Sequence, residues 1–220
     1  MSENPPPNPP NPDQPAPQRP QVRVPDHLAQ GVYATAMIIP HAREEFVLDF
    51  LASHAQPPRM IARVVLTPSH IKRLAAAIRE NINLYEKNHG PIPAAARQQM
   101  ARTIQNKDFY ANIAVPERVL GGVYASSVII RHSREEFILD FLTSFPPSPI
   151  INARVLISPP HILRVANALE ARLRQYEDQG GKIPEPPSEP PPPPGAPPKP
   201  DDPSAPPDSP EGGGPRFKII

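Results

Sequence analysis

The chain has 220 residues, of which 38 are proline and none is cysteine or tryptophan, with 23 Lys and Arg against 22 Asp and Glu. This composition excludes disulfides, thiolate catalysis and cysteine–zinc sites, and the near-balance of charge lacks the dense basic stripe of a dedicated nucleic-acid binder. No apolar run reaches the length of a membrane span, and the first residues lack the basic and apolar regions of a secretory signal, so the expected address is cytoplasmic.

Nine prolines precede Gln21 and sixteen lie from Pro184 onward. Proline-dense stretches cannot form ladder hydrogen bonds and hold too little apolar mass to offset backbone ordering. Residues 1–21 and 185–220 are therefore expected to be disordered tails with polyproline II character. The foldable part, 22–184, carries 19 basic and 14 acidic residues, a mildly basic core.

Within it the chain repeats itself. GVYATAMIIPHAREEFVLDFLASH, from Gly31, matches GVYASSVIIRHSREEFILDFLTSF, from Gly122, and the match runs on without a gap at an offset of 91 residues. Duplication of a complete folding unit is the economical explanation. The expected organisation is a first unit at 22–93, a partly helical connector at 94–112 and a second unit at 113–184.

In chain order, each unit reads as three strands and a helix. The β-branched runs 32–39 and 123–130 predict first strands, and 40–43 and 131–134 predict hairpin turns. Alternation over 45–51 puts Phe46, Leu48 and Phe50 on one face, and 136–142 repeats the pattern. Third strands are predicted at 60–66 and 151–157. Thr67-Pro68 and Ser158-Pro159 then supply an N-cap hydroxyl and a proline at the first helical position. Ile71, Leu74, Ala75, Ile78, Ile82 and Tyr85 form an apolar stripe, echoed by Ile162, Val165, Ala166, Leu169, Leu173 and Tyr176. Gly90 and Gly181 end the helices.

The expected fold is thus α+β: two tandem repeats, each a small antiparallel sheet of about three strands followed by one amphipathic helix. One helix covers one face of a sheet, so the two copies are expected to pack as a pseudo-dimer, each shielding the other's apolar sheet face.

The string GVYA, IxHxxEEFVLDF, ARVVLTPxHxKRL and AIxENIxxYE resembles an uncharacterised bacterial family of domain-of-unknown-function proteins with one unit per chain. Residues 31–86 carry the closer match, and the second copy departs at Pro160, Leu163 and 172–175. The resemblance implies fold and dimer-like pairing, with no activity or catalytic residues to carry over.

Four sets of residues invite chemistry. His41, Arg43, Glu44 and Glu45, repeated as His132, Arg134, Glu135 and Glu136, could bind a metal or do acid–base work, but adjacent glutamates near a strand point to opposite faces, and a solvated turn is the preferred reading. Asp49 and Asp140 lie mid-strand among apolar residues, where an unpaired carboxylate is costly. Arg63 and Arg154 are their expected cross-strand partners, with a ligand-binding seam built on these arginines as the alternative. His70 and His161 read as exposed or cap-supporting residues, and Tyr33, Tyr124, Tyr85 and Tyr176 as core or seam residues. Finally, the acidic proline-rich tail ends in Gly212-Gly213-Gly214-Pro215 and a basic–apolar tip, Arg216, Phe217, Lys218, Ile219 and Ile220, a candidate tethered peptide that docks in a groove or adds to a sheet edge.

No nucleotide, zinc-protease or hydrolase motif occurs. The sequence therefore points to a non-catalytic binding or scaffolding protein with no cofactor and no membrane association, a monomeric chain that engages an unidentified protein partner. Single-stranded nucleic-acid binding and small-ligand sensing at the repeat seam are the alternatives.

Overall fold

The computed structural model describes residues 22–41, 44–93, 110–180 and 183, and the backbone of 218–219. The first repeat holds a single 3-10 turn at Asp26–Leu28, strands β1 (Val32–Ala34), β2 (Ala36–Ile38), β3 (Phe46–Ala52) and β4 (Arg59–Leu66), and helix α1 (Pro68–His89). The second holds a short helix α2 (Glu117–Leu120), strands β5 (Val123–Tyr124), β6 (Ser127–His132), β7 (Phe137–Thr143) and β8 (Ile150–Ile157), and helix α3 (Pro159–Gly180). Strand β9 (Lys218–Ile219) follows near the C-terminus.

The fold is α+β, with two tandem repeats packed about a pseudo-twofold axis. Each repeat contributes an antiparallel meander, β2-β3-β4 or β6-β7-β8. The predicted first strand, however, breaks in two. β1 leaves its own repeat and pairs in parallel with β8 of the second, while β5 pairs in parallel with β4 of the first. The sheets are therefore mixed, with orders β1-β8-β7-β6-β9 and β2-β3-β4-β5.

The exchange begins further upstream. Arg23 bridges Ile150, and Ala114, its counterpart 91 positions on, bridges Arg59. Gly31 and Gly122, at φ 67° and 69°, turn each arm into its exchanged strand. Only a residue without Cβ fits there, because a Cβ on Gly31 would come within 2.4 Å of Leu156 and one on Gly122 within 2.8 Å of Arg63.

One hydrophobic core unites both repeats. The rings of Phe50 and Phe141, equivalent positions, meet at 5.8 Å between centroids, and Phe46, Phe137, Leu48 and Leu139 are fully buried around them. Each such side chain contributes about 1.5–3 kcal/mol of burial. The helical stripes also lie in this core, Ile71 to Ile82 in α1 and Ile162 to Leu173 in α3. The helices run antiparallel across the axis, where Arg79 meets the equivalent Glu170 at 2.7 Å and Lys72 meets Glu177 at 3.5 Å. Thr67 caps α1 by accepting from the His70 N–H, and the Gly90 N–H closes it on the Glu86 carbonyl.

The far face of the second meander, with Ile129, Leu142 and Ile151, is covered by Val22 and Leu28 of the first repeat's arm, so the other copy shields it through its arm. One expectation needs correction: the second hairpin turn falls at 133–136, because Arg131 and His132 continue β6. Of the two places expected for the tyrosines, core or seam, Tyr33 and Tyr124 take the seam, on the exchanged strands, and are 47% and 42% exposed. The expected disordered tails and the 94–109 part of the connector lie outside the described residues, apart from β9. Among the described residues no helix is long and apolar enough to cross a membrane.

Candidate functional site

The β3–β4 register sets Asp49 opposite Arg63, and the β7–β8 register sets Asp140 opposite Arg154. Both pairs are bidentate, with Nε–Oδ1 at 2.6 Å and Nη2–Oδ2 at 2.9 Å. The third guanidinium nitrogen reaches across the seam. Arg63 Nη1 donates to the Leu120 carbonyl at 2.9 Å and Arg154 Nη1 to the Ala29 carbonyl at 3.0 Å. Each arginine thus ties its own sheet to the other repeat's arm, and its bond to the aspartate holds its pKa above the ordinary arginine value.

The two carboxylates differ in their third partner. The Tyr110 hydroxyl donates to Asp49 Oδ2 at 2.5 Å, whereas Arg131 Nη2 donates to Asp140 Oδ2 at 2.5 Å. Burial, then the bond to Asp49, raises the Tyr110 pKa well beyond that of a free phenol. Asp49 is wholly buried, so these bonds stand in for its lost hydration.

The histidine–glutamate clusters come apart. His41 stacks on Phe46 and meets the edge of Tyr176 from α3, while Glu44 and Glu45 are exposed and Arg43 lies outside the described residues. His132 packs equivalently on Phe137 and Tyr85 from α1, with His89 alongside. Tyr85 donates its hydroxyl to the Arg134 carbonyl at 2.8 Å. Burial, then the neighbouring His89, lowers the His132 pKa. These are seam contacts, and among the described residues no three metal-ligating side chains gather.

At the C-terminal tip, β9 lies antiparallel on the edge strand β6, with Ile219 opposite Ile129 and Lys218 opposite Ile130. Arg216, Phe217 and Ile220 lie outside the described residues. A cavity of 190 Å3 opens between the β1–β2 break of the first repeat and the start of α3, and His161 and Arg164 line it.

A family model matches residues 2–94 and again 95–185. The chain belongs to the family described as Protein of unknown function (DUF3467). No curated protein and no solved structure matches it.

Each DUF3467 match spans one exchanged arm, one meander and one helix, so each covers residues that fold into both sheets. Neither Arg63 nor Arg154 lines the cavity. His161 and Arg164, which do, belong to a pattern in the DUF3467 repeat: Thr67 or Ser158, His70 or His161, and Arg73 or Arg164 recur at three-residue steps, the arginines being the members not singled out from the sequence. The histidines support the cap, through His70 Nδ1 to Thr67 Oγ1 at 2.8 Å and His161 Nδ1 to Ser158 Oγ at 2.6 Å.

Proposed function

We propose that the protein is a non-catalytic binding module whose β6 edge accepts an extended peptide, with its own C-terminal tip as the resident strand. The pairing of Lys218 and Ile219 with Ile130 and Ile129 carries this reading. An unpaired edge strand presents a row of backbone donors and acceptors, and strand addition satisfies them while alternate side chains give specificity. The tip joins a charged residue to apolar ones, whereas the tail before it is almost free of apolar side chains. Such a tether raises the tip's local concentration to the millimolar range, so a peptide from a protein partner must compete with it. The same reading places the chain in the cytoplasm, where a cysteine-free fold needs no oxidising environment.

The test uses the full chain and a labelled PRFKII peptide. Proline cannot donate to a ladder, so Lys218→Pro with Ile219→Pro frees the edge. The variant is expected to bind the peptide at least about tenfold more tightly than the intact chain. No binding to either chain would remove the edge from the functional reading.

A further inference from the structure

The helix starts carry one pattern twice, and the spaces beside them are not alike. His70 and Arg73 share one face of α1, as His161 and Arg164 share one face of α3. Each pair faces the strand break of the opposite repeat across a partly open space. Beside α1 that space is 10 Å3, room for one water at most. Beside α3 it is 190 Å3. A dry cavity of roughly 150 Å3 accepts benzene.

Every residue lining the small space has its counterpart, 91 positions away, lining the large one. Repeat geometry alone therefore does not open it. α1 packs closely along the six-residue β6, while α3 stands back from the three-residue β2. Side-chain size does not account for the difference: Val165 and Ala36 are smaller than Leu74 and Ser127, but Met37 and Thr35 are larger than Val128 and Ser126. The placement of α3 leaves its copy roomy.

The lining of the roomy copy has a clear division. Met37, Phe50, Ile157 and Val165 make it mostly apolar. Arg164 supplies its formal charge, and the Ser158 hydroxyl fixes the His161 ring through Nδ1, leaving Nε2 as the other ring nitrogen. At the strand break, the Thr35 and Ser53 hydroxyls bond each other at 2.8 Å. Burial, then Arg164, lowers the His161 pKa, so the ring is neutral near pH 7 and adds no second charge.

We propose that this cavity binds a small monocarboxylate with a compact apolar body, its carboxylate facing Arg164 and His161 and its body lying between Met37, Phe50 and Ile157. A guanidinium fork matches a carboxylate bidentately, and the space suits a ring or a branched chain better than a drug-sized molecule, which needs about 300 Å3 or more.

Methyl NMR of the full chain, titrated with benzoate and separately with benzyl alcohol, tests this. Benzoate is expected to give saturable shifts at the Ala36, Met37 and Ala168 methyls and to bind at least about tenfold more tightly than the alcohol. Arg164→Gln is expected to abolish that preference. Ala168→Phe places a phenyl ring in the space itself, and it is expected to lose benzoate binding while melting no lower than the parent. Absence of saturable shifts, equal affinity for the alcohol, or unchanged binding by the filled variant would each overturn the assignment.

Discussion

At the scale of single residues, the buried aspartates dominate the seam. Asp49 faces one guanidinium and a phenol, whereas Asp140 faces two guanidiniums. Removing one partner of a buried pair leaves the other uncompensated. Asp49→Asn is expected to lower stability by about 3 kcal/mol, and Asp140→Asn by more, since it strands two cations. Urea unfolding with an unchanged slope checks both values. The histidines add a pH term. His70, His132 and His161 all have pKa values lowered from 6.5, chiefly by burial. The unfolded chain therefore binds protons before the folded one does, and stability rises with pH until the unfolded histidines are neutral. The melting temperature is expected to be level above the ordinary histidine pKa of about 6.5 and to fall as pH drops below it. His132→Gln is expected to flatten that fall, and thermal melts across the range check it.

At the scale of elements, the arm turn is the sensitive point. Gly122 combines a φ of 69° with a Cβ position within 2.8 Å of the Arg63 side chain. Gly122→Ala therefore strains the backbone and pushes on the arginine that holds the arm through the Leu120 carbonyl. A loss of about 1–3 kcal/mol is expected, with faster amide exchange at Val123 and Tyr124 as the specific sign that β5 has detached. The strands, helix starts and apolar stripes were legible because each rests on local chemistry: Thr67-Pro68 caps a helix wherever it is placed, and Phe46, Leu48 and Phe50 alternate in any strand. The break at Thr35 was not legible, because β-branched and apolar residues run from Val32 to Ile39 without a turn signal, and only the partner sheet decides where the run changes allegiance. The glycines marked that decision, but a positive φ reads equally well as the start of an ordinary strand. The cavity was hidden for the same reason, since its lining comes from Thr35 and Arg164, in different repeats.

At the scale of the whole molecule, the exchange makes neither repeat self-sufficient. The first unit alone would lack β5 along β4, the Leu120 carbonyl that receives Arg63, and the Tyr110 hydroxyl on Asp49. It would also expose Phe50 and the α1 stripe, which meet Phe141, α3 and β6 in the intact chain. Its own arm, residues 22–34, would have no β8 to join. A second copy of the same unit supplies most of the missing pieces, because the core and arm contacts across the axis involve positions 91 apart that carry the same side chain: Gly31 and Gly122, Arg63 and Arg154, Phe50 and Phe141. The exceptions are Tyr110, whose counterpart is Arg19, and Glu170, whose counterpart is Arg79. Residues 1–93 expressed alone are therefore expected to form an arm-exchanged homodimer, and light scattering after size exclusion reads its mass directly. Its melting temperature is expected to rise with protein concentration, as it must when folding and association are one step. In that dimer Arg79 would face Arg79 across the axis where the intact chain sets Arg79 against Glu170, so Arg79→Glu in one of two co-expressed copies is expected to favour the mixed dimer. A folded monomeric half would show that each meander and helix can close its own core, and the arm exchange would then be a consequence of linkage and not its requirement.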